Sequence, residues 1–182
     1  MDYTIELPVI PLVAMGLGYP VQGLIEINKS SPIQLLDSLE QFAKYFKREQ
    51  GYNFVQFDAK DINDPNSPFL GFLFAESGLN QMTEEHGNYT PSLLVGGGCF
   101  RYETLANNET RAKLDWIWLH PYNRNSGNLS RYWPQIKSLA NDSKGFLLEL
   151  PVSKPMRTFL KKKAHGDALD PIVAEYLDKI DE

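Results

Sequence analysis

The sequence predicts an α+β domain (mixed α/β) built on a mixed central sheet, and three observations carry that reading. Residues 32–50 form one long amphipathic stretch with the spacing of a helix. Short apolar and aromatic runs follow at 52–57, 69–75 and 93–102, each bounded by turn residues, as strands are. The order then changes to a strand at 113–119, a helix at about 127–141, a strand at 145–150 and an amphipathic helix opened by Asp170-Pro171. One helix, a run of strands, then helix, strand and helix place helices against a sheet with both kinds of neighbour.

Each element has a local cause. Ser31 suits the N-cap of the first helix, Pro32 its first position, and Gln34 completes a capping box. Leu35, Leu36, Leu39, Phe42, Ala43 and Phe46 make one apolar stripe, and Gly51 supplies the stop. Residues 61–67 read as a turn-rich connection and 77–90 as a longer polar loop. Gly96-Gly97-Gly98 has the composition of a phosphate loop but lacks the Lys-Ser/Thr that should follow it, so close backbone packing in a strand is the expectation. Cys99, inside the same apolar strand, is expected as a small buried hydrophobe.

Bulk properties narrow the class. A chain of 182 residues, 42% hydrophobic and 23% charged, fits a single domain over 1–182 with a continuous core. The net charge of −5 and the pI of about 5.3 give no global field toward nucleic acid or anionic lipid. One cysteine and three histidines exclude an internal disulfide and speak against a metal site. Residues 7–25 carry no charge, which is nearly a membrane span. Pro8, Pro11, Gly16, Gly18, Pro20 and Gly23 interrupt them, and Asp2 and Glu6 precede them where a secretory signal would carry Lys or Arg. A buried strand with a Gly/Pro-rich turn is the expectation, in a cytoplasmic protein with no membrane partner.

The segment after residue 119 carries the chemistry. Pro121 ends the strand, and Arg124-Asn125-Ser126-Gly127 turns the chain into a helix. Such a turn leaves backbone N–H groups unpaired at a helix N-terminus, a ready anion site, and Gly127 lets a ligand approach the backbone closely.

Leu119, Pro121, Arg124 and Gly127 resemble the acetyl-CoA signature of the GNAT N-acetyltransferases, Val-x-Pro-x-x-(Arg/Gln)-x-x-Gly-x-(Gly/Ala). Leu129 stands where Gly or Ala is usual, and Pro134 falls inside the helix that the motif opens. A second segment is similar to the family's Asn-x-x-Ala-x-x-Phe-Tyr pattern, with Ser153, Met156 and Phe159 at the first three positions. Leu160 replaces the tyrosine that serves many members as general acid. The resemblance spans about 93–161. It implies a GNAT-like mixed central sheet flanked by helices, with an atypical acidic C-terminal helix in place of the usual final hairpin.

The resemblance further implies an N-acetyltransferase that uses acetyl-CoA as co-substrate and a primary amine as acceptor, with a CoA-binding or protein-interaction module that has lost catalysis as the alternative. Leu119, Arg124, Asn125, Ser126, Gly127, Asn128, Leu129 and Ser153 are then the cofactor-binding residues. Asp115 is the first choice for general base, on the same side of its strand as Ile117 and Leu119 if alternation holds; Glu103 is second and Glu76 third. Each has an ordinary alternative as a salt-bridged carboxylate. Trp116 and Trp118 could flank an acyl pocket or be core, and His120 is expected to be structural. Lys161, Lys162 and Lys163 could reach the 3′-phosphate of CoA or complement a helix dipole. A monomer and a homodimer are both compatible with the sequence.

Overall fold

The computed structural model describes residues 4–10, 23–60, 64, 68–77, 82–84, 87–89, 92–140 and 145–164. Residues 11–22 of the uncharged stretch and the helix expected after Asp170 lie outside them.

In chain order the elements are β1 (Val9–Ile10), β2 (Gly23–Ile27), α1 (Ile33–Gln50), β3 (Phe69–Ser77), β4 (Met82–Glu84), β5 (Gly87–Tyr89), β6 (Ser92–Thr104), β7 (Thr110–Leu119), α2 (Asn128–Ala140), β8 (Leu147–Leu148) and α3 (Lys154–Ala164). The main sheet runs β2-β3-β6-β7-β8, with β1 beside β6. All its pairs are antiparallel except β7–β8, which is parallel in the register Lys113↔Leu147 and Leu114↔Leu148. The helix after Gly127 thus joins two parallel neighbours of the sheet. β4 and β5 form a separate two-stranded sheet inside the stretch read as a loop.

Helices cover both faces. On one, the α1 stripe packs on Ile25, Ile27, Leu73, Leu94, Cys99, Trp116 and Trp118. On the other, Tyr132, Trp133 and Ile136 of α2, with Met156 and Leu160 of α3, pack on Phe72, Phe74, Phe100, Leu114 and Leu148. Leu39 is fully buried, and burial of such a side chain is worth about 2 kcal/mol. It sits so close to Gly71 and Gly97 that a Cβ on either would press against it. Gly71 and Gly97 thus let α1 approach the sheet, as close packing requires.

Two local expectations are corrected. The capping box does not form: the Ser31 hydroxyl accepts the Asn28 N–H at 3.0 Å, in a turn that Asn28 also closes by accepting the Ser30 N–H at 2.9 Å. The N–H groups of Leu35 and Leu36, in the first turn, go to the Pro32 carbonyl instead. Gly51 does end the helix, at φ 73°, with its N–H on the Lys47 carbonyl. The run at 52–57 is not a strand, because β2 and β6 already flank β3. Its aromatic residues pack instead of pairing, Tyr52 stacking on Phe46 at 5.6 Å and Phe57 meeting Phe69 edge-on at 5.0 Å.

Candidate active site

β7 and β8 pair only at Lys113–Leu114, with one further bond from the Glu149 N–H to the Leu114 carbonyl at 3.0 Å. Beyond that point the strands part. A narrow cavity of about 50 Å³ opens there, lined by Asp115, Trp116, Tyr52, Glu149 and Ser153 among others. A larger one of about 640 Å³ runs on between the end of β7, the turn after it, the last turn of α1 and one side of α3.

The split has a cause in β7. Cys99 pairs with Trp116 and Phe100 with Leu114, so Asp115 is the extra residue of a bulge. Leu114 belongs to the core under α2 and α3, whereas Trp116 and Trp118 belong to the core under α1. Simple alternation therefore fails at Asp115. Its carboxylate does not share the side of Ile117 and Leu119 but accepts the Arg101 Nε–H at 2.6 Å, and Arg101 also donates to the carbonyl of Gln56 in the segment after α1. Burial pushes the Asp115 pKa up, and the opposing pull of Arg101 does not cancel that rise.

At the far end of the larger cavity a single 3-10 turn, Pro121–Asn123, leads into the loop before α2. Asn125 and Gly127 both have positive φ, 60° and 84°. Nothing lies within 4 Å of where a Gly127 Cβ would stand. The loop thus offers the free N–H groups of a helix start beside open space, a fit for a diphosphate.

Two ionic clamps hold this end, and a third holds the other. Arg124 donates to the Leu119 carbonyl at 2.7 Å and grips Glu49 of α1 with both terminal nitrogens, Nη2 at 2.6 Å. Glu49 also accepts the Trp118 indole N–H at 2.7 Å. Burial works to raise the Glu49 pKa, but the hydrogen bonds from Arg124 and Trp118 hold it below the usual carboxylate range. Glu76, at the end of β3, accepts Asn128 Nδ2 at 2.9 Å and Asn123 Nδ2 at 3.2 Å and lies 3.5 Å from Arg131. Glu76 thus braces the loop. The third clamp lies at the closed end, where Lys113 joins Glu149 at 2.6 Å and Glu103 at 3.0 Å. Burial works to lower the Lys113 pKa, yet these two carboxylates raise it overall.

Of the residues singled out in the sequence, Leu119, Arg124, Asn125, Gly127, Asn128, Leu129 and Ser153 line the larger cavity. Leu129 also packs on the core, and Ser126 lies off the lining with its hydroxyl on the Asn123 carbonyl at 2.7 Å. Asp115 and Ser153 line the narrow cavity, and Glu103 lines neither. Pro134 lies within α2, and Leu160 is fully buried in the core. Burial, with Arg124 nearby, lowers the His120 pKa, and His120 Nδ1 is buried with no partner among the described residues. Burial pushes the Cys99 thiol far up, as suits an inert core residue. The sequence reading missed the α1 contribution of Phe46, Glu49 and Gln50, and it missed Tyr52, Glu149 and Lys154. Only Phe46 carried a signal, as the last member of the helical stripe.

No family model matches the chain, and no curated protein matches it. Among solved structures the chain is similar to an aminoglycoside acetyltransferase from an uncultured soil metagenomic sample, crystallised with trehalose, at 12% identity and a TM-score of 0.49 over 81% of this chain and 89% of that one. It is also similar to a ribosomal-protein-alanine N-acetyltransferase from Brucella melitensis biovar Abortus 2308, at 18% identity and a TM-score of 0.43, covering 81% and 93%. A possible acetyltransferase from Clostridium difficile 630 gives 10% identity and a TM-score of 0.43, covering 82% and 95%. Likeness at this level says nothing about substrate. The chain's own topology is what defines it: antiparallel strands into a bulged β7, a parallel step to β8 through α2, a gap between them and a glycine turn at its end. That is a GNAT-like fold.

Proposed function

We propose that this chain is an N-acetyltransferase that moves an acetyl group from acetyl-CoA to a primary amine. The observation that carries the reading is the gap between β7 and β8, which ends on the open Gly127 turn at the start of α2. The N–H groups at 125–129 would hold the diphosphate, and the cavity leads from there toward the bulge at Asp115. Acetyl-CoA supplies a thioester carbonyl, to which the amine nitrogen bonds as the carbon–sulfur bond breaks.

Asp115 is the base in this reading. Its raised pKa brings it nearer the working pH, which favours proton acceptance from an ammonium directly or through water. Arg101 positions the carboxylate. The departing thiolate needs a proton, and Leu160 cannot give one. Tyr52 brings a phenol to the lining of the narrow cavity and fills that role. Glu103, tied to Lys113 and away from both cavities, has no part in the step.

One observation favours the second reading, a CoA-binding module without catalysis: the position of the family's tyrosine is a leucine sealed in the core. A panel of small amines and lysine peptides, incubated with acetyl-CoA and assayed for free thiol, separates the two. Release that depends on amine and is lost in Asp115→Asn supports the enzyme. Acetyl-CoA binding with no release from any acceptor supports the module.

A further inference from the structure

Resting on that reading, we propose that Lys154 and Lys162 of α3 form a second anion subsite in the larger cavity, one that takes the 3′-phosphate of CoA and sets its preference over 3′-dephospho-CoA.

The charges along the cavity lead to this assignment. Among the described residues its charged lining is Glu49, Arg124, Lys154 and Lys162. The charge of the motif arginine is already paired, because both its terminal nitrogens donate to Glu49 and its Nε donates to the Leu119 carbonyl. Arg124 and Glu49 cancel. Among the described residues the uncompensated charge is that of the two lysines, which are exposed and have no ion-pair partner there.

Lys154 is placed against its own helix. It is the first residue of α3, at the positive end of the dipole, and no acidic residue stands in the first turn to offset it. A cation there is unfavourable unless an anion joins it. Lys162 lies eight positions on, about 12 Å along the axis, with Thr158 between them on the same wall. This side of α3 and the Gly127 turn line the same cavity. A CoA whose diphosphate sits on the turn has one other strongly anionic group, the 3′-phosphate, for the lysines of α3 to receive. Lys162, one of the three consecutive lysines noted in the sequence, lies on this wall, and Lys154 joins it from the other end of the helix.

The test is calorimetric titration of the full chain with CoA and with 3′-dephospho-CoA at low and physiological salt. The wild type is expected to bind CoA about tenfold more tightly at low salt, the gap narrowing as salt rises. The Lys154→Ala/Lys162→Ala pair should bring the ratio to about one by weakening CoA alone. Equal binding of the two ligands by the wild type overturns this subsite and leaves the proposed function standing. So does an equal loss of both ligands in the double variant, which would place the lysines on the diphosphate. Binding of neither ligand by the wild type removes the proposed function and this subsite together.

Discussion

Glu49 and Arg124, 75 positions apart in the sequence, form a two-pronged ion pair that ties the last turn of α1 to the loop after β7. The Trp118 indole completes the site by donating to the same carboxylate, and the Arg124 guanidinium lies 5.6 Å from the Trp118 ring centroid. The helix that packs on one face of the sheet thus helps to shape a turn beyond the end of the central strand.

Its pH dependence follows from the lowered pKa of Glu49. A carboxylate whose pKa is lower in the folded chain stabilises the fold above its unfolded value, near 4.5, and loses that contribution as pH falls through the folded value. Glu49→Gln should therefore cost about 1 kcal/mol at pH 7, and the difference from wild type should shrink below about pH 4. Urea unfolding at a series of pH values measures it. A constant difference across that range would contradict the pair.

Gly127→Glu should leave the fold intact, since the position opens on empty space, and weaken acetyl-CoA binding by at least about tenfold. Any side chain at φ 84° adds about 1 kcal/mol of strain, so Gly127→Asn, which tolerates that conformation, is the control for strain without charge. Binding should survive in the asparagine variant.

Leu160→Tyr should not create a catalytic acid. The side chain is fully buried beneath α2, so the larger ring must overpack the core at about 1–3 kcal/mol. Denaturant midpoints should fall while acetyl-transfer rates per folded molecule stay the same. Tyr52→Phe is the variant that should slow turnover, with little change in the unfolding midpoint.

Much of this architecture was legible in the sequence because it rests on local pattern. The α1 stripe, the Gly51 stop, and the β7, α2 and following strand segments all follow from periodicity and turn residues. What was not legible depends on pairing between distant segments. The bulge at Asp115 appears only when β6 and β7 are laid in register, and it turns that carboxylate toward Arg101. Ser31 looked like a cap because its own turn with Asn28 cannot be read from spacing. Glu49 and Glu76 gave no signal of their roles, since a carboxylate that braces a loop and one on a solvated helix face have the same local sequence.

Asp115→Asn should lower turnover by about 10²–10⁴ while leaving acetyl-CoA affinity unchanged. The acid limb of the wild-type rate profile should lie above the ordinary aspartate value near 4, because burial raises this pKa. The limb should be absent from the residual activity of the variant. A profile that is the same in both would move the base elsewhere.

If the gap between β7 and β8 is an acetyl-CoA site, calorimetric titration of the wild-type chain with acetyl-CoA should show saturable binding at one site per chain in the micromolar range, lost in Gly127→Glu. No heat of binding at millimolar acetyl-CoA, or equal affinity in the glutamate variant, would contradict it.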